Sequence, residues 1–265
     1  MKSIQIEKTS ISGIDKIFSN DWDGEILRMS RSTFDKHKNK PFLDRAGVYV
    51  IYADHYDRTT YGNEIYVGQG DDVRQRLNEH LDKKPFWNKV LIFTSEKMNV
   101  AISFNIEKEF IFRAKLANKY KVTNGDNGQS KKLGSEDSDY MKSYIDKSIQ
   151  ALSLSGNELF SINTDGLYSF KQYENHGFAT LIAGDFSRIK ILKGSKFANF
   201  SDEHSFSELC NDGVVEVIDR GVIFLEDYVA TIIDGTLPFL IDRLIYLQKF
   251  ENSCGVKLSK AVSVQ

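Results

Sequence analysis

From residue 47 to residue 52 the chain reads Gly47-Val48-Tyr49-Val50-Ile51-Tyr52, with no charged or amide position. A run this rich in β-branched and aromatic types predicts a buried strand. A polar stretch, 54–62, separates it from Glu64-Ile65-Tyr66-Val67, a second strand expected to end at Gly68-Gln69-Gly70. The two read as a hairpin with a long loop. Ahead of them, Ile4 and Ile6 alternate with polar residues, and Glu25-Ile26-Leu27-Arg28 forms another short apolar run. Turns are expected at Gly13 and over 22–24. Residues 1–40 are therefore expected to form a β-rich segment packed on the domain that follows.

After Gly70 the period changes. Val73, Leu77 and Leu81 recur at helical spacing, with Asp71 or Asp72 placed to cap the helix. A third strand fits 90–94. A longer helix fits 106–120, its apolar face drawn by Phe110, Ile111, Ala114 and Ala117. Residues 124–138, rich in Gly, Asn, Ser and charge, read as an exposed linker. Beyond it a helix is expected over 140–152, a mostly β stretch over 158–226, and a mostly helical one over 228–250, broken at Pro238. The pattern implies an α+β protein. A small three-stranded sheet flanked by helices is expected over 41–125, a linker and helix over 126–154, and a second α+β accessory domain over 155–265.

Helical geometry then sorts the chemistry. Arg76 and His80 lie four apart and flank the apolar stripe of the 73–81 helix, so both can look along the sheet that carries Tyr49 and Tyr66. Arg74 points roughly 160° from Arg76, toward solvent. On the second helix Glu107 falls within the apolar face and Glu109 points away. A carboxylate on a buried face is costly unless satisfied, by a divalent metal or by an arginine. Taken singly, each residue has an ordinary explanation: a core aromatic, a structural histidine, a surface ion pair, and, for Asn124, a turn before Gly125.

Composition changes the picture little. The chain has 265 residues, 41% hydrophobic and 27% charged, enough for one large domain or two modest ones. Its three prolines exclude a Pro-rich linker. No apolar run approaches the roughly 20 residues a membrane helix needs, and the N-terminus lacks a secretory pattern. Cys210 and Cys254 have no metal-ligand spacing and are expected to be free thiols in a reducing cytoplasm. The net charge of −2 is uneven: residues 1–125 carry 21 Lys+Arg against 17 Asp+Glu, and the remainder 14 against 20. Phosphate binding needs a local basic stripe, not a basic whole chain. Gly68-Gln69-Gly70 lacks the third glycine of a dinucleotide turn, and Lys193-Gly194-Ser195-Lys196 lacks the upstream glycine of a phosphate loop.

Gly47-Val48-Tyr49 and Tyr66-Val67-Gly68 resemble the two signature tripeptides of the GIY-YIG nuclease superfamily. Arg76 and His80 follow Tyr66 at the spacing of that family's helix arginine and its His/Tyr position. Glu107 resembles its metal-binding glutamate, and Asn124 its late asparagine. Phe86-Trp87-Asn88, Phe93-Thr94-Ser95 and Asn124-Gly125 are similar to a bacterial subgroup, and 192–196 to an uncharacterised domain that follows such modules. The resemblance covers 47–124 well and the rest poorly. The stretch between Tyr49 and Tyr66 is longer than in compact members, and both tripeptides carry Val in place of Ile.

The resemblance implies a metal-dependent DNA endonuclease. Glu107 would hold Mg²⁺ or Mn²⁺, and Arg76 would stabilise the phosphate. Tyr49 would serve as general base with help from nearby cations, or His80 would take or relay the proton, and Tyr66 would position water or phosphate. Lys83, Lys84 and Asn124 are candidate DNA contacts, the lysines against the alternative of a solvated helix end. The competing expectation is a catalytically silent module of the same fold that binds DNA or protein. A protein partner or homo-oligomer contact through the C-terminal domain is also expected, and no membrane.

Overall fold

The computed structural model describes residues 3–53, 63–161, 166–172, 175–182, 185–198, 204–218, 221–232, 250–252 and 254–262. The 54–62 loop and most of the expected 228–250 helix lie outside them. The chain is α+β and divides into two units, Met1–Ser161 and 162–265.

In the first unit, β1 (Gln5–Lys8), β2 (Ile14–Ser19) and β3 (Trp22–Ser30) form an antiparallel meander. Helix α1 (Arg31–His37) follows, then β4 (Gly47–Tyr52), β5 (Glu64–Gly70), α2 (Val73–Lys83), β6 (Lys89–Ser95), α3 (Val100–Ala117), β7 (Lys121–Val122) and α4 (Ser135–Leu154). Among the described residues the sheet has seven strands in the order β1-β2-β3-β6-β4-β5-β7. The expected three strands are its β6-β4-β5 portion. The N-terminal segment is not a separate layer: β3 pairs with β6 from Gly24↔Ser95 to Ser30↔Lys89, continuing the same sheet. The expected turn over 22–24 is instead the start of β3. Gly24 is accepted there because the Trp22 ring lies over it, where a Cβ would sit 2.3 Å from the indole.

Alternation assigns the two faces of the sheet. Val48, Val50 and Tyr52 enter a core with Ile106, Phe110 and Ile111 of α3 and Tyr144 and Ile145 of α4. Tyr49 and Ile51 enter the opposite core with Val73 and Leu77 of α2, Phe34 and Trp87. All six residues of β4 are buried, as the unbroken apolar run requires. Helix α3 begins six residues before the expected start, capped by the Asn99 side chain on Ile102 N, and ends at Asn118 in the left-handed region. Helix α4 belongs to the first unit, and the division falls near 161, a few residues past the expected start of the accessory domain at 155. Its Tyr144 Oη donates to Thr94 O at 3.1 Å, and its Tyr140 Oη bonds both Ser95 and Asp23.

Among the described residues the second unit is mostly β, as expected over 158–226. It contains β8 (Tyr168–Gln172), β9 (Asn175–Ile182), β10 (Asp185–Ile191), β11 (Lys196–Ala198), α5 (His204–Asn211), β12 (Val215–Ile218), β13 (Gly221–Phe224), β14 (Tyr228–Thr231) and α6 (Leu258–Val262). Its strands run β12-β13-β11-β9-β10-β14, with β8 also on β9. Residues 228–231 are therefore strand, where helix was expected. The Lys193–Lys196 stretch is a tight turn with Gly194 at φ +84°, and Ser195 Oγ is spent on the Phe178 and Leu192 main chain. No helix among the described residues is long and apolar enough to cross a membrane.

Candidate active site

The site begins with the pairing of β4 and β5. Tyr49 lies opposite Gly68, and a Cβ at position 68 would sit 2.3 Å from the Tyr49 hydroxyl. The glycine of the second tripeptide therefore leaves room for the phenol of the first to lie across the strand. Gly47 does a related job against β6, where a Cβ would sit 2.5 Å from Phe93 O. The tripeptides thus have a steric reason to be what they are.

Helix α2 supplies the next groups. Asp72 caps it by accepting from Gln75 N at 3.0 Å, and Val73 and Leu77 seat it on the sheet. That seating brings His80 over the two phenols. Tyr49 Oη and His80 Nε2 are 2.8 Å apart, and the Tyr66 ring stands edge-on to the imidazole at 5.1 Å. Burial, and then the charge of Lys84, push His80 down to about 4, so the ring is neutral at pH 7. Burial, with Tyr66 adding to it, pushes Tyr49 well above the usual phenol range, and burial with Glu107 also raises Tyr66. Two protonated phenols and a neutral imidazole are the resting state. The Tyr49 proton then points at Nε2, placing the ring proton on Nδ1. That atom is buried with no hydrogen-bond partner among the described residues.

The two arginines of α2 separate as the helix wheel expects. Arg74 turns away and is pinned to Asp44 at 2.6 Å. Arg76 stays 52% exposed, its nearest carboxylate being Glu79 at 3.8 Å. Its charge lowers Tyr49, Tyr66 and Glu107 alike. It also lines an open cleft of about 360 Å³ with Gln69, Gly70 and Phe104.

Glu107 reaches the same place from α3. It is half-buried and makes no hydrogen bond or ion pair among the described residues, whereas Glu109 faces away and binds Arg113 at 2.8 Å. Burial first, then the charge of Asp126, raises Glu107 to about 7. Asp126 belongs to the loop after β7 and was not among the expected site residues. Asn124, expected to touch DNA, is instead spent on the fold. Its amide accepts from Val67 N at 3.1 Å and donates to Val67 O at 2.8 Å. It extends the edge of β5 where β7 stops.

An unpaired, half-dehydrated carboxylate is a fitting ligand for a divalent cation. Among the described residues no group of three or more Asp, Glu, His or Cys could enclose an ion. A single carboxylate suits Mg²⁺, which keeps most of its waters. The structure thus brings Tyr49, Tyr66 and His80 into ring contact and sets Arg76 and Glu107 within electrostatic reach. The two lysines part company: Lys83 is 68% exposed beside Glu79, while Lys84 lies 3.9 Å above the Tyr66 ring.

No protein-family model, curated protein or solved structure matches the chain.

Proposed function

We propose that the first unit is a divalent-metal-dependent DNA endonuclease of the GIY-YIG kind. One observation carries this reading. A buried phenol from β4 is hydrogen-bonded to a neutral imidazole from α2, beside an unpaired carboxylate and a half-exposed arginine. Packing alone gives no reason for that set on one edge of a sheet.

The arrangement supports a proton relay. Water attacking phosphorus loses a proton to Tyr49 Oη as the phenol passes its own to His80 Nε2. A phenol held this far above its usual range does not ionise unaided, and the neutral imidazole at 2.8 Å offers a lone pair for its proton. Tyr66 holds the water or the phosphate beside the pair. Arg76, half-exposed and with its nearest carboxylate at 3.8 Å, grips the phosphate as charge builds on its oxygens. Glu107 would hold Mg²⁺ or Mn²⁺, which when bound neutralises phosphate charge and stabilises the leaving 3′-oxygen.

The test is plasmid cleavage with Mg²⁺ or Mn²⁺ by the native chain, Glu107→Ala and Arg76→Ala. Nicking or cutting by the native chain, with at least a 100-fold loss in both variants, is the expected outcome. Full activity in Glu107→Ala removes the metal assignment. Tight DNA binding without cutting makes the unit a silent binding module.

A further inference from the structure

Lys84, so far only a candidate DNA contact, forms with Arg31 a device to which the proton relay and metal assignment give no role. Helix α2 ends at Lys83, and residues 81–87 turn back toward β6. Arg31, the first residue of α1, fills that turn. Its guanidinium donates to Leu81 O, to Pro85 O at 3.0 Å, and more weakly to Lys84 O and Trp87 O at 3.4 and 3.5 Å. The same group stacks over the Trp87 ring at 5.1 Å, and Arg31 N donates to Asn88 O at 2.9 Å. Trp87 Nε1 in turn donates to His80 O at 3.3 Å. One planar fork thereby ties Leu81 O of α2 to the carbonyls of the turn that follows the helix, something a lysine cannot reproduce.

The turn sets the place of the Lys84 ammonium, 3.9 Å above the Tyr66 ring. Among the described residues this ammonium makes no ion pair or hydrogen bond. Burial, opposed by Glu64, holds its pKa below the usual lysine value. Three N–H donors are thus partly dehydrated at the mouth of the site and unspent. Lys83, one residue earlier, is in solvent and shares Glu79 with Arg76. Both cations act on His80, but Arg76 also acts on Glu107 and lines the open cleft, whereas Lys84 lies over the Tyr66 ring and feels Glu64.

Resting on the nuclease reading, we propose that Lys84 binds the DNA phosphate next to the scissile one, and that Arg31 is the positioning residue that holds it there. Arg76 takes the reacting phosphate and Lys84 the neighbour, so the substrate class is a polynucleotide and not a terminal phosphodiester. A lysine is suited to this role, as a point charge that needs no bidentate geometry.

The experiment uses the full chain and a 20-base-pair duplex that it cuts. Binding is measured in EDTA across a salt series, and cleavage in Mg²⁺. Lys84→Ala should bind about tenfold more weakly, with the slope of log K against log salt reduced by about 0.9, one phosphate contact. Lys142→Ala, which removes an exposed charge on α4, should leave both unchanged. A duplex with one neutral methylphosphonate beside the scissile position should weaken native binding equally and leave Lys84→Ala no further loss. Arg31→Lys, folded by melting temperature, should reproduce the Lys84→Ala slope, and Arg31→Lys/Lys84→Ala should be no worse than Lys84→Ala. An unchanged slope in Lys84→Ala, or no methylphosphonate position that masks its defect, overturns the assignment while the nuclease reading stands. A native chain that neither binds nor cuts DNA overturns both.

Discussion

The two faces of the first unit's sheet handle their buried polar groups differently, although Trp22 Nε1 on the α3–α4 face, like His80 Nδ1, has no hydrogen-bond partner among the described residues. On the α3–α4 face, Tyr144 Oη is bonded to Thr94 O, and Tyr140 Oη to Ser95 and Asp23. On the α2 face and its edge, His80 Nδ1 has no partner among the described residues, Glu107 no counter-charge in contact, and Lys84 only an aromatic ring. Strand β4 serves both faces, Tyr49 entering one core while Val48 and Val50 enter the other. Satisfied groups hold a fold together, whereas unsatisfied ones keep capacity for a ligand at a cost in stability. The difference supports a structural role for the α4 tyrosines and, on the proposed reading, leaves the ligand-binding capacity with His80, Glu107 and Lys84.

The largest effect should come from breaking the stable face. Phe110 packs its ring against Phe93 and Phe160, each at 4.8 Å. Phe110→Ala should cost about 3–5 kcal/mol, read as a lower denaturant midpoint. A loss under 1 kcal/mol would mean that this core carries less than its burial indicates.

A matched pair of phenols sharpens the contrast. Tyr144→Phe should lose about 1 kcal/mol of stability and leave cleavage intact. Tyr49→Phe should melt close to native and lose cleavage. Exchanged outcomes would dissolve the division between the faces.

The smallest effect is pH-dependent. Glu107 is raised from an ordinary 4.5 to about 7, so folding favours its protonated form. Its contribution to stability is complete below pH 4.5 and is lost as pH rises through about 7. Glu107→Gln should therefore outlast the native chain at pH 8 by about 1 kcal/mol, solvent screening the rest. The advantage should vanish near pH 4 in melting curves. A gap constant with pH would refute the cost assigned to the carboxylate.

What the sequence showed depended on distance along the chain. The β4 run, the Asp72 cap, the separation of Arg74 from Arg76 and that of Glu107 from Glu109 all follow from local period. The β3–β6 pairing joins residues some sixty positions apart, and no local pattern announces it, so the sheet was expected to be smaller than it is. Trp22-Asp23-Gly24 read as a turn because Gly breaks strands, and only the overlying indole explains it. Polar Ser103 and Asn105 hid the first turns of α3, although both side chains bond its own backbone. Arg31 reaches fifty residues ahead and Asp126 acts through a folded loop, so neither carried a signal.

Gly68 has a consequence for how this scaffold can diverge. A single methyl there would sit 2.3 Å from the hydroxyl that meets His80, so even alanine would displace it while leaving β5 paired. If the proposed relay operates, descendants that keep the hydrogen-only position keep the option of hydrolysis. A lineage that fills it would keep at most recognition, and one codon would mark the change.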